Sequence, residues 1–553
     1  MLRCFAVLTS ATTPHRDHGP LKRMRAFTRA PRWIASGLAA KRGMATAAEL
    51  AAAEARAAAA AGAVIEPVTG RTLEQLGMVA AVRCRGGGLP SASSASSSGD
   101  ACSAAIELPT GAYPERAELE SRVASALLEH APGGSVGVSF QLRAPRSKPH
   151  VTELRRRASM VTDGLSEVSA IVGVSSCKGG VGKSTVALHL AYSLAAMGGR
   201  VGLFDADIHG PSLPSMVVPE DTRVVRLEDK GWLRPLRHEG VKLMSYGWVS
   251  PRNEDGERGG AAMRGPMASS VVQQLSQLTD WGPLDVLVVD MPPGTGDVII
   301  TLGQKMALAG AVIVTTPHEL ARVDVSKGVA LFDRMRVPSL ALVNNMAYLR
   351  PAPAAPAAYP FGRAEEAMAE LRGRCGIPSY AAVPLHEGAG QRVAWPYSSP
   401  EMPDEEGGGA SRPFSALADG LVRELMRREA GAARSERRSS RGQAGAGASA
   451  AVSFVGSGGT DVGVVPGGGA LTVRRITDDG AEQHSLPAAA ARRASLAADA
   501  GEPSDVDDGV TAVRCEAQGN YAVEVAFSDG HTAILPLASL LALARAQTAE
   551  AAE

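Results

Sequence analysis

Cys177-Lys178-Gly179-Gly180-Val181-Gly182-Lys183-Ser184-Thr185 is the stretch on which the reading of this chain turns. An apolar run, Ala170 to Val174, precedes it, and Val186 to Ala196 follows with helical character. A glycine-rich turn between a buried strand and a helix start lets successive backbone N–H groups converge on phosphate oxygens. The helix N-terminus adds partial positive charge at the same place. Gly179, Gly180, Val181, Gly182 and Thr185 are therefore expected to line a phosphate cradle. Lys183 reaches the outer phosphates as a point charge, and the Ser184 hydroxyl ligates Mg²⁺. Working outward, Asp205-Ala206-Asp207 closes the apolar run Val201 to Phe204, and Asp290 closes Leu287-Val288-Val289. Ligands of open α/β sheets sit at the carboxyl ends of the strands, so these carboxylates should meet the glycine-rich turn. Asp290 is expected to hold Mg²⁺ through water, and Asp207 to orient an attacking water, with Asp205 beside them. Gly294-Thr295-Gly296-Asp297 then reads as a loop suited to sensing a terminal phosphate.

Strands Ala170–Val174, Val201–Phe204, Val286–Val289, Ala311–Val314 and Leu340–Val343 alternate with helical stretches over residues 160–430. That alternation predicts an α/β domain with a parallel sheet and crossover helices. Residues 47–146 read as a small α+β unit: an Ala-rich helix stopped at Pro67, a strand over Leu76–Val82, its neighbour over Ala104–Leu108, a helix over Glu118–Leu128 and a strand over Ser135–Leu142. Residues 431–469 are rich in Gly, Ala, Ser and Arg and read as a flexible linker. Residues 470–545 alternate polar and apolar positions, with a turn at Asp529-Gly530, and read as a β-rich module. Residues 1–46 carry nine Lys and Arg, among them Arg3, Arg16 and Lys22, against the single acid Asp17, the composition of an organellar transit peptide. That composition does not separate chloroplast from mitochondrion.

Over 553 residues, 57 Lys+Arg balance 57 Asp+Glu, which argues against nucleic acid or an anionic membrane face as the main partner. Six cysteines exclude a disulfide scaffold and make a reducing compartment the default. No apolar run approaches the roughly 18–20 residues of a membrane-spanning helix.

Lys178 at the head of the Gly-Gly-x-Gly-Lys-Ser loop resembles the deviant Walker A motif of the MinD, ArsA and nitrogenase-iron-protein class of P-loop NTPases. The usual P-loop has glycine where this chain has Cys177. The resemblance implies ATP as substrate, an ATPase activity, and a nucleotide-sandwich homodimer in which Lys178 reaches the partner's nucleotide. Asp205-Ala206-Asp207-Ile208-His209-Gly210-Pro211-Ser212, Met263-Arg264-Gly265-Pro266-Met267, Asp290-Met291-Pro292-Pro293-Gly294-Thr295-Gly296-Asp297, Thr315-Thr316-Pro317-His318 and Asn345-Met346 together resemble the Mrp/ApbC iron–sulfur carriers. By that resemblance Asn345 reads the adenine edge. The first domain is similar to the SufT/PaaD-like assembly domain, and the last to the γ-butyrobetaine hydroxylase N-terminal-like module. That order of domains resembles the high-chlorophyll-fluorescence carriers of chloroplasts. It implies delivery of [4Fe–4S] clusters to apoproteins, with assembly factors as further partners, in the chloroplast stroma; the mitochondrion is the alternative.

The family's thiolates are missing. No Cys-x-x-Cys follows Asn345-Met346, Ala347 stands where the plastid branch has cysteine, and the Thr-x-x-Cys-Pro turn reads Gly111-Ala112-Tyr113-Pro114, without the cysteine. Iron–sulfur clusters are normally held by four thiolates, which a dimer can assemble from two per subunit. Cys375, downstream of the Asn345 strand, and Cys177 are the ligand candidates; Cys84 and Cys102 flank a Ser-rich loop on strands that can pair. Each also reads as a small buried apolar residue. The second functional reading is a metal-free, ATP-switched adaptor of the MinD type that positions partner proteins.

Overall fold

The computed structural model describes residues 47–84, 102–130, 135–144, 164–228, 231–250, 265–294, 296–318, 320–335, 337–349, 357–385, 413–442, 453–457, 460–465, 467–477, 480–498, 506–518 and 522–550. Residues 1–46, read from composition as a transit peptide, and Met263-Arg264, Thr295 and Gly519-Asn520-Tyr521 lie outside them. The chain divides into two units, Met1–Glu107 with Arg116–Gln141, and Leu108–Glu115 with Leu142–Glu553.

The first unit runs α1 (Ala47–Ala63), α2 (Leu73–Leu76), β1 (Val79–Cys84), β2 (Cys102–Leu108), α3 (Arg116–Leu128), β3 (Val136–Leu142), with sheet order β1-β2-β3. β2 buries Cys102, Ala104, Ile106 and Leu108 in strict alternation, and α3 buries Leu119, Val123 and Leu127 at four-residue spacing. The strand expected from Leu76 starts three residues later. Thr72 and Gln75 form a capping box that makes Leu73–Leu76 a helical turn, and Gly77 ends it at φ 61°, a conformation that favours glycine. Cys84 and Cys102 are register partners and form a disulfide, with Cα atoms 4.2 Å apart.

The second unit contains β4 (Val168–Ser175), α4 (Lys183–Ala196), β5 (Val201–Asp205), α5 (Leu213–Met216), β6 (Leu236–His238), β7 (Val241–Ser245), α6 (Tyr246–Val249), α7 (Gly265–Leu278), β8 (Leu284–Asp290), α8 (Asp297–Met306), β9 (Gly310–Thr315), α9 (Leu320–Arg334), β10 (Ser339–Asn344), α10 (Glu365–Cys375), β11 (Ser379–Ala382) and α11 (Pro413–Gly442). Their strands make one eight-stranded sheet, ordered β11-β10-β9-β4-β8-β5-β7-β6, parallel except for the antiparallel edge strand β6. All five strands expected from apolar runs are present, and β5, β8, β9 and β10 are buried along their whole lengths. Burying a Val or Leu side chain fully stabilises by about 1.5–3 kcal/mol, so these runs hold the sheet together. Helix α4 carries the chain from β4 past β8 to β5, whereas α9 carries it from β9 outward to β10. The connections diverge between neighbouring β4 and β9, which opens a crevice at the carboxyl edge of the sheet.

Helix α4 is buried continuously from Val186 to Leu194, and His189 stacks on Phe414 of α11 with ring centroids 4.8 Å apart. Burial lowers the His189 pKa from 6.5 to about 4, so the folded protein holds it neutral. A lowered histidine pKa means that the unfolded chain binds the extra proton. The stabilisation is complete above pH 6.5 and is lost as pH falls toward 4. Within that interval unfolding free energy should drop by about 1.4 kcal/mol per pH unit from this residue. Denaturant melts at stepped pH should show that slope, and His189→Leu should flatten it.

Within the stretch read as a linker, the described residues carry regular structure. α11 runs to Gly442, and β12 (Ser453–Ser457) and β13 (Thr460–Val464) precede β14 (Ala470–Thr477), β15 (Gly480–Pro487), α12 (Ala488–Ala498), β16 (Ala512–Gln518), β17 (Ala522–Phe527), β18 (Thr532–Pro536) and α13 (Leu537–Glu550). Ala, Arg and Glu are good helix formers even where apolar surface is scarce, so Gly431–Gly442 extends the helix. β12 and β13 join the meander β12-β13-β14-β15, and Val462 enters the core with Leu471, Val473, Leu486, Val523 and Val525. The turn at Asp529-Gly530 joins β17 to β18, with Gly530 at φ 82°.

Candidate functional site

β4 ends at Ser175 and α4 begins at Lys183, so the glycine-rich stretch is the loop between them. Gly180 and Gly182 adopt φ of 78° and 80°, and Gly182 is the N-cap of α4. A side chain at residue 182 would also meet the Asn345 amide nitrogen at 2.2 Å from its Cβ. Glycine is required there on both counts. Lys183 is buried and forms an ion pair with Asp290, and its Nζ lies 3.4 Å from the Ser184 hydroxyl.

The carboxyl edge of the sheet sets the charges. β5 pairs with β8 so that Asp205 stands beside Asp290, and with β7 so that Asp205 stands beside Ser245. Asp290, Asp205 and Ser245 thus form one buried row. Burial, then the neighbouring Asp290, push the Asp205 pKa up to about 7, against backbone donors from Leu213 and Asp207 and against Lys183. Burial also raises Asp290 above the ordinary carboxylate range, opposed by its ion pair with Lys183. Asp207 is half-buried, and its Oδ1 accepts from Gly210 N at 3.2 Å.

The other expected residues fall around this row. Lys178 is exposed at the head of the loop. Asn345 is buried and donates to the Val181 carbonyl at 2.8 Å, tying the end of β10 to the phosphate loop. Met346 follows at φ 56°, a left-handed conformation for a residue with a side chain. Gly294 N donates to Ser176 O at 3.0 Å, which brings the loop after β8 against the phosphate loop. Cys177, Lys178, Val181, Thr316 and His318 line a recess between β4 and β9, at the point where the crossovers diverge.

The hard oxygen donors Ser184 and Asp290, beside Lys183 and a glycine-built loop, fit a magnesium–nucleotide. The candidate cysteines of one chain lie in separate settings. Cys177 faces Gly328 of α9, where a Cβ would lie 2.5 Å from its sulfur. Burial and nearby Asp333 push the Cys375 thiol up. Cys84 and Cys102 approach each other as their flanking positions suggest, but as a buried disulfide. Among the described residues no three His, Cys, Asp or Glu side chains form a metal-binding group. Ala347 and Ala112 are both buried.

A family described as ParA, NUBPL iron-transfer P-loop NTPase, matches residues 167–405. A "Fe-S cluster assembly factor HCF101, chloroplastic" from Oryza sativa subsp. japonica is 37% identical over 399 residues, covering 70% of this chain and 67% of the rice protein. This chain belongs to the Mrp/ApbC family of P-loop NTPases. Its counterpart in Arabidopsis thaliana, with the same description, is 44% identical over 280 residues, 51% of this chain and 49% of that protein. An "Iron-sulfur cluster carrier protein" from Pseudomonas fragi is 47% identical over 192 residues, 34% of this chain and 65% of the carrier. The Mrp/ApbC chain therefore matches from 49% to 67% of the length of these curated relatives. Among the described residues of this Mrp/ApbC protein, no helix is long and apolar enough to cross a membrane.

Ser245 is the site residue that the sequence alone did not single out. It closes a strand whose apolar run is broken by Lys242, and a lone serine has no spacing signal. Val241, Leu243 and Met244 around Lys242 are a short and interrupted apolar run.

Proposed function

We propose that the chain binds ATP with Mg²⁺ in its phosphate loop, hydrolyses it as a nucleotide-sandwich homodimer, and couples that cycle to assembly of iron–sulfur clusters and their delivery to apoproteins. The observation that carries the ATPase reading is the buried Lys183–Asp290 pair at the mouth of a loop built on Gly180 and Gly182. Incoming phosphate competes with Asp290 for Lys183, since both are anions seeking the same cation. Release from Lys183 leaves Asp290 beside Ser184 to hold the metal shell, and Asp207 to hold the attacking water. Magnesium supplies charge neutralisation on the phosphates when it is bound. Exposed Lys178 is free of the fold's own ion-pair row and suited to reach a partner's nucleotide, and Asn345 to read adenine once it leaves Val181.

The cluster reading is supported by the descriptions of the rice, Arabidopsis and Pseudomonas relatives. The chloroplastic descriptions of the rice and Arabidopsis relatives support the chloroplast as the location, within which this reading places the chain in the stroma. Anaerobic reconstitution of the reduced full chain with ferrous iron and sulfide, followed by iron and sulfide counting, tests it. About four iron and four sulfide per dimer are expected for one [4Fe–4S] cluster bridging two subunits. A dimer that hydrolyses ATP yet retains no iron would remove the cargo from this reading and leave the ATP-switched adaptor.

A further inference from the structure

Ser245 sits fully buried at the end of β7, and its hydroxyl is used twice. The Oγ accepts from Gly247 N at 3.2 Å, capping α6, and donates to Asp205 Oδ2 at 3.0 Å. A cap needs only the acceptor; the donated bond has a different consequence. The same Asp205 oxygen accepts from Leu213 N at 3.1 Å, and the other, Oδ1, from Asp207 N at 3.1 Å. One carboxylate thereby pins both ends of the segment from Asp207 to Leu213. The segment is also closed from within by the Gly210-to-Asp207 bond. Pro211 of the segment and the following Pro214 pack against buried Gly247, where a Cβ would meet them at 3.2 Å and 2.7 Å. With both oxygens engaged inside the protein, Asp205 works as a clamp rather than as a contact for nucleotide.

We propose that Ser245 is a positioning residue for ATP hydrolysis: by orienting the Asp205 carboxylate it fixes the loop that presents Asp207 to the attacking water. The proposal rests on the reading of Asp207 as the group that orients that water. Losing the donated bond leaves Asp205 free to rotate, which releases Asp207 N and Leu213 N together. Misplacement of a catalytic group by an ångström costs on the order of a hundredfold in rate, whereas ground-state phosphate contacts elsewhere are untouched.

Single-turnover ATP hydrolysis by the full-length chain, with nucleotide affinity measured in parallel, provides the test. Ser245→Ala should lower the hydrolysis rate roughly ten- to hundredfold with ATP affinity within about twofold of the parent. Ser245→Thr, which keeps the hydroxyl, should recover most of the rate. A parent-like rate in Ser245→Ala, or a loss confined to affinity, overturns the proposal. If Ser245→Ala does not fold, Asp205→Asn reads the same clamp, and a parent-like rate there is equally fatal. Asp207→Asn separates the two levels. Should it hydrolyse ATP normally, the role given to Asp207 fails and the Ser245 proposal with it. Should it be inactive while Ser245→Ala is normal, only the Ser245 proposal fails.

Discussion

Lys183→Ala is expected to lower ATP turnover at least a hundredfold to roughly a thousandfold, the range seen when one preorganised charge partner of a transition state is removed. The cation is buried, so no solvent counter-ion substitutes for it on the phosphates. The same substitution strands Asp290. Breaking a buried ion pair by removing one partner costs about 3–5 kcal/mol when the remaining charge stays ionised. Asp290 escapes part of that cost, because burial already raises its pKa and it can take a proton instead. The double variant Lys183→Ala/Asp290→Asn should therefore regain thermal stability without regaining turnover. Melting curves beside steady-state hydrolysis check both halves. Full turnover in Lys183→Ala would show that the phosphate site is elsewhere.

Lys178→Ala is the second large effect, expected at roughly a hundredfold or more in turnover, by analogy with cations supplied in trans to a transferring phosphoryl group. Unlike Lys183, Lys178 is exposed, so the variant should melt like the parent. The distinguishing experiment mixes two dead proteins. In a nucleotide sandwich, a Lys178→Ala subunit keeps an intact phosphate loop, and a Lys183→Ala partner keeps the lysine that completes it. Mixed dimers should recover a measurable share of parental turnover that neither protein shows alone. No recovery, together with a monomeric mass in ATP and magnesium, would defeat the homodimer.

Much of the site was legible because its signals are local. The loop from Cys177 to Thr185 carries its own glycines and lysines, and Asp205 and Asp290 each close an apolar run, which places them at strand ends without knowledge of strand order. What they do there was not legible. That Asp205 faces Ser245 on one side and Asp290 on the other depends on β5 lying between β7 and β8, a pairing that no local pattern encodes. β7 was hidden by Lys242, whose ammonium bonds the Trp281 carbonyl and whose stem fills an otherwise apolar strand. β11 was hidden by its brevity, four residues with no branched aliphatic side chain. The stretch 431–469 reads as a linker because lack of apolar surface argues against packing, but in its described residues helix propensity and pairing with β14 decide the local structure.

Met346 holds a left-handed backbone immediately after Asn345, and its side chain approaches the phosphate loop at Gly182. A non-glycine residue in that region stores on the order of 1 kcal/mol or more of conformational energy. An engineer screening this protein for heat resistance would find glycine or asparagine at residue 346 attractive for that reason. The improvement would come beside Asn345, whose amide ties β10 to the phosphate loop, so selection for robustness alone would drift toward a hardier protein with a slacker hold on that loop.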